Sequence, residues 1–208
     1  MASNIDATKP ATGAATTQSV RDNFLTAKNE ISDLQLERLL RLESGNESTE
    51  LFQQCAVSNT PQVVQFSAVR FINPNSTASF EFDSVNNEIV FNETGWYHVD
   101  LSLHVTRKTA GAGAADWSIF AQLKVPSGSF TNFQASRRVR TFDGTTADFK
   151  AFFQIGFVSK IEEAGTRLRW MQSCSDASKT VGIIGYPAAA PLPSSAGATF
   201  SIFRMGSL

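Results

Sequence analysis

Apolar positions change their period along this chain, and the change divides it into sections. Val20, Phe24, Ala27, Ile31 and Leu34 follow at alternating steps of four and three, which lines them up as one stripe on a helix. Ser19 with Asp22 reads as a helix start, and Ser44-Gly45-Asn46 as its stop, so a helix is expected over 19–44. The stripe next falls on Arg38 and Arg41 and breaks there, while Leu36, Leu39, Leu40 and Leu42 carry apolar content on a rotated face. A helix of this size is marginal alone and needs a surface to pack its stripe on. That surface is either the rest of the chain or further copies of the same helix in a coiled coil; two heptads do not decide between them.

From Pro61 onward the period falls to two. In GWYHVDLSLHVT, Tyr97, Val99, Leu101, Leu103 and Val105 share one face, and Trp96, His98, Asp100, Ser102, His104 and Thr106 the other. Further strands are expected at 62–71, 79–82, 88–91, 117–125, 135–142, 147–158, 166–173 and 198–205, with Asn86-Asn87 and Asp143-Gly144 as turns. Many short strands with no helix between them indicate a mainly β domain over 61–208, an antiparallel sandwich or jelly roll. Strand 147–158 is apolar on both faces. Phe149, Ala151, Phe153, Ile155 and Phe157 take one side, and Phe152 and Val158 take the other with Lys150, Gln154 and Gly156. A second apolar face needs cover, which makes Phe152, Gln154 and Val158 the expected subunit-interface positions; burial inside a thick monomeric sandwich is the alternative.

Two stretches have no period. Residues 1–18 carry small polar residues and cannot build a core, so they are expected as an extended arm, with 45–60 a linker between helix and β domain. Tyr186 to Ala198 holds three prolines, which remove ladder donors, and is expected as an exposed, adaptable loop.

Composition narrows the function classes. The 208 residues carry a formal net charge of -1, so no overall field steers the chain toward nucleic acid or an anionic membrane. Arg137, Arg138 and Arg140 form the one dense basic run; it reads as a solvated strand edge, with a polyanion contact as the alternative. Seventeen Phe against two Tyr point to a core or interface filled by rings without a polar handle. Cys55 and Cys174 make no disulfide framework and read as buried thiols. No run reaches the length of a membrane span and no secretory leader opens the chain, so synthesis in a cytoplasm is expected.

Candidate chemistry is sparse. The two histidines, His98 and His104, are six residues apart on one strand, roughly 20 Å and too far to share a metal. His98 and Asp100 are neighbours that can pair. There is no G-x-S-x-G elbow, no phosphate-binding glycine loop and no cysteine pair at zinc spacing. No catalytic residue, metal or cofactor is therefore assigned, and a structural or binding role is expected over an enzymatic one.

Two resemblances give that role a form. NNEIVFNETGWYHVDLSLHV, with Gly95 and Tyr97 as a Gly-x-Tyr element, AGTRLRWMQS, and the closing Thr199, Phe200 and Ser201 together resemble the C1q/TNF-like jelly roll over most of 62–205. That likeness implies a homotrimer around aromatic-rich inner sheets; the Pro-rich 187–193 loop departs from the pattern. Asn4, Asp6, Thr8, Lys9 and Pro10, followed by Val20, Arg21, Asn23 and Phe24, are similar to an arm-and-helix module of tailed-phage virion proteins. This second likeness implies an arm, with Arg21 and Asn23, that docks on a capsid or tail protein. Together they lead to the expectation of a non-enzymatic homotrimer on the virion surface, a capsid decoration or cement protein or a short head fibre. The alternative is a tail-fibre adhesin whose knob binds a host glycan or receptor.

Overall fold

The computed structural model describes residues 17–36, 40–44, 51–72, 79–109, 112–143, 149–186 and 195–206. The arm positions Asn4, Asp6, Thr8, Lys9 and Pro10 lie outside them. Helix α1 (Thr17–Leu36) differs from expectation at both ends. It starts ahead of Ser19, and Asp22, beyond the first turn, accepts a hydrogen bond from Gln18 Nε2 at 2.7 Å. It stops at Leu36 and not at Ser44, because Leu40–Ser44 forms strand β1. Leu40 stands opposite both Ile202 and Ile72, and Leu42 opposite both Phe200 and Val69. Leu40 and Leu42 alternate with Arg41 and Glu43 at period two, and a segment laddered on both sides gains more than modest helix propensity offers. The expected linker holds a second strand, β2 (Leu51–Gln54), so the β unit begins at Leu40 and not at residue 61.

The rest of the chain is mainly β, in two antiparallel sheets. One runs β4 (Ala68–Ile72), β1, β13 (Ala198–Gly206), β7 (Gly95–Arg107) and β10 (Phe149–Ile161). Beside the far end of β7, β12 (Val181–Gly185) continues the row of β13 and pairs with β2. The other runs β5 (Phe80–Asp83), β6 (Glu88–Phe91), β11 (Thr166–Cys174), β8 (Ala115–Lys124) and β9 (Thr131–Phe142), with short β3 (Gln62–Val63) on β11. The expected strand 62–71 is thus two strands in different sheets. Asn86-Asn87 does turn the β5–β6 hairpin: Asn87 has φ 55° and its Oδ1 accepts from Phe66 N at 2.7 Å. Asp143-Gly144 closes no hairpin, since β9 and β10 belong to different sheets.

The sheets meet face to face, as in a β-sandwich. Tyr97, Val99, Leu101, Leu103 and Val105 are all buried, as the alternation in β7 requires, and Trp117, Ile119, Leu168 and Trp170 oppose them from the second sheet. Aromatic rings bridge the layers: Trp170 lies 6.1 Å from Phe200 and Trp117 5.3 Å from Phe153 between ring centroids. Much of the phenylalanine excess is accounted for here, each fully buried ring contributing about 1.5–3 kcal/mol of transfer free energy. The Gly-x-Tyr element has a local cause. A Cβ on Gly95 would stand 2.5 Å from the Gly206 carbonyl oxygen, and the buried Tyr97 hydroxyl donates to Glu93 O at 2.9 Å. The inward row of β7 ends on Arg107, also buried, which donates to the carbonyls of Thr109, Gly113, Phe142 and Asp143 at 2.7–3.2 Å. The guanidinium so holds the chain on both sides of the short segment that follows β7, at Thr109 and at Gly113.

Strand β9 is the edge of its sheet, so the basic run does lie on a strand edge. It is not a simple alternating strand. Between the pairs Ile119↔Arg138 and Ala121↔Phe133 the ladder shifts, and Gln134 to Arg137 bulge out. Buried Ser136 fills the break, its Oγ accepting from Ala121 N at 2.7 Å and donating to Phe133 O.

Candidate interaction surface

The outward residues of β7, β10 and β13 make one continuous face. Strict pairing of β10 on β7 sets Phe152 beside His104, Gln154 beside Ser102, Gly156 beside Asp100 and Val158 beside His98. On the other side of β7, Phe203 pairs with His98, Ser201 with Asp100 and Thr199 with Ser102. Rows of side chains therefore run across three strands about 4.8 Å apart. Phe152 is 59% exposed, and Val158 and Trp96 are each 44% exposed. Single exposed apolar residues are ordinary, but these share one sheet face with half-buried Phe203.

Polar groups occupy the centre of this face. His98 Nδ1 lies 3.0 Å from Asp100 Oδ2, at ion-pair distance, and the His98 ring stacks 4.7 Å from Phe203. Gly156 makes the room: a Cβ there would stand 2.6 Å from Asp100 Oδ1. At the other end the His104 ring lies 5.2 Å from Phe152, and burial lowers the His104 pKa below the ordinary imidazole value of 6.5. Among the described residues no three His, Cys, Asp or Glu side chains gather as a metal site.

The edge beside this face is also open. Strand β10 pairs along all its length with β7, and among the described residues no strand pairs with its other edge. A long edge with free backbone donors and acceptors is a template for a further chain unless it is covered. The ends of the neighbouring loop are closed by mutual hydrogen bonds of Tyr186 and Ser195, N to O at 2.8 and 2.9 Å, and Lys150 Nζ sits 4.5 Å over the Tyr186 ring.

The residues expected at interfaces fall into three groups. Phe152, Gln154 and Val158 are together on the outer face of β10, all exposed. Arg21 is exposed and Asn23 half-buried on α1. Of the helix stripe, Phe24 is 72% exposed and Val20 and Ala27 are intermediate, while Ile31 and Leu34 lie within α1. Trp96, His98, His104 and Phe203 were not singled out from the sequence as interface residues. Their alternation was readable, but only the pairing register brings them alongside Phe152 and Val158.

No family model matches the chain, and no curated protein matches it. No described helix is long and apolar enough to cross a membrane.

Proposed function

We propose that this chain is a non-enzymatic, self-associating protein of a tailed-phage virion surface, a homotrimer that decorates or cements the capsid or forms a short head fibre. The observation that carries self-association is the outer face of β7, β10 and β13, where Phe152 at one end and Val158 and Trp96 at the other stand exposed about a polar centre, beside a β10 edge that no described strand pairs. Covering Phe152, Val158 and Trp96 in an oligomer removes them from water at about 25 cal/mol per Å². The connections support a C1q/TNF-like jelly roll as the finer description of the sandwich. The steps β6 to β7, β7 to β8, β9 to β10 and β10 to β11 all cross between sheets, and β13 lies between β1 and β7. The docking partner is a capsid or tail protein, held by the arm ahead of α1; three arms on one trimer act together through effective concentration. The virion assignment rests on the likeness of that arm and of Val20, Arg21, Asn23 and Phe24 to phage modules.

Native mass spectrometry of the full chain tests the core of this reading. A trimer that becomes a monomer on combining Phe152→Asp with Val158→Lys, with unchanged circular dichroism, supports it. A wild-type monomer overturns it. Immunogold labelling of particles then separates many copies over the head from a few at the tail, the latter favouring a tail-fibre adhesin.

A further inference from the structure

The outer face of the second sheet carries a concavity. It is an open cleft of about 580 Å³ on the outer side of β8, β9 and β11, lined by Pro61, Ser118, Phe120, Gln134, Arg137 and Ser173 among others. That volume falls within the range of small-ligand sites, roughly 300–1,000 Å³. The bulge in β9 builds it. Trp117, Ile119 and Ala121 face the core, so Ser118 and Phe120 face outward, where Phe120 pairs in register with Met171 and Ser118 with Ser173. Phe120 and Met171 are nevertheless buried. The displaced residues Gln134 and Arg137 line the cleft with them, and Pro61 does too. Bulges that re-aim side chains in this way recur at functional sites.

The chemistry of the lining selects a ligand class. The floor is an aromatic ring, and the walls are hydrogen-bonding groups. Among the described residues the side chains of Ser118, Gln134, Arg137 and Ser173 have no protein partner. Asn132, also in the lining, is oriented by Gln122 Nε2, which donates to its Oδ1 at 2.9 Å and leaves its NH2 group as a donor. Among the described residues no carboxylate lines the cleft, and the one formal charge in the lining is the Arg137 guanidinium. A fork of guanidinium donors suits a carboxylate in bidentate fashion. One cation is too few for a nucleic-acid backbone, whose binding depends on neutralising several phosphates.

We infer that this cleft is a saccharide site for an acidic sugar, one carboxylate-bearing pyranose stacked over Phe120 with its carboxylate on Arg137 and its hydroxyls on Gln134, Asn132, Ser118 and Ser173. The inference needs neither the trimer nor the virion reading; it concerns a different face and different residues.

Titration calorimetry of the full chain tests it, with sialyllactose and a hyaluronan tetrasaccharide as probes and lactose as the neutral control. At least one acidic sugar is expected to bind with Kd below about 1 mM, and lactose at least about tenfold more weakly. Arg137→Ala is expected to weaken that binding about tenfold or more, and Arg137→Lys by less, since a lysine keeps the charge and loses the fork. Among the described residues the guanidinium makes no hydrogen bond or ion pair, so both variants are expected to melt as the wild type does. Neither acidic sugar binding, lactose binding equally well, or Arg137→Ala binding unchanged overturns the proposal. The doubly substituted Phe152→Asp, Val158→Lys chain is expected to retain acidic-sugar affinity, which keeps failure of this site distinct from failure of self-association.

Discussion

The Phe152 ring lies 5.2 Å from the His104 imidazole across the β7–β10 ladder, one exposed and the other half-buried. An apolar ring that shelters a titratable one ties the surface to acidity. His104 has its pKa lowered by desolvation, so the unfolded chain takes up a proton before the folded chain does. The contribution of this group is fully favourable above the ordinary value of 6.5 and is lost progressively as pH falls through the lower folded value. Covering Phe152 in an oligomer desolvates His104 further, so acidification is expected to weaken association as well as the fold. Sedimentation velocity between pH 7.5 and pH 5 checks it, and His104→Gln should flatten the dependence. An oligomer that tightens on acidification would contradict the assignment of this face.

Arg107 fastens three stretches of backbone at one end of the sandwich, through carbonyls of Thr109, Gly113, Phe142 and Asp143. Arg107→Met removes several charge-assisted bonds worth about 1.5–3 kcal/mol each, partly replaced by water, and a net loss of roughly 3–5 kcal/mol is expected. Arg107→Lys should recover little, because one ammonium lacks the planar reach of the guanidinium. Urea denaturation measures both, and an unchanged midpoint for the methionine variant would remove the clamp from the account.

Truncation distinguishes helix from sheet. A chain starting at residue 39 loses α1 and keeps β1, and it is expected to fold with the wild-type β signature. A chain starting at residue 47 also loses β1, which leaves β13 and β4 without their shared neighbour. At about 0.5–1.5 kcal/mol net per backbone bond, that second cut should cost about 3 kcal/mol or more. Equal melting temperatures for the two would show that β1 contributes nothing.

Burial pushes the Cys55 thiol up to about 12, with Cys174 nearby adding to it, and Cys174 is raised by its own burial. Little thiolate forms at neutral pH, and the thiolate is the nucleophile. Native protein is expected to react with Ellman's reagent only as fast as it unfolds, and denatured protein to release both thiols at once. Rapid native labelling would place a cysteine at the surface.

Strand periodicity carried most of the fold, and its failures share a cause. β7 was readable because each of its faces has one character, Tyr97 to Val105 against Trp96 to Thr106. Leu40–Ser44 was read as helix because Leu, Arg and Glu suit both states and only the partners Ile202 and Ile72 decide. Val181–Gly185 gives no alternating signal, since every position of the strand is buried. Phe152, Gln154 and Val158 could be placed on one face from the sequence alone. Their neighbours Trp96, His98, His104 and Phe203 required the register, which is a long-range property. The cleft was hidden more deeply, because ASRRVRTF reads as plain alternation and the bulge is visible only against β8.

Tyr186 and Ser195 hold hands across the mouth of the segment between them, so β12 and β13 are anchored independently of what that segment contains. Lengthening a loop whose ends are already fixed costs only about 0.6 kcal/mol per doubling. The chain thus offers a grafting point, where foreign peptides inserted after Tyr186 would be carried without the sheets registering the insertion.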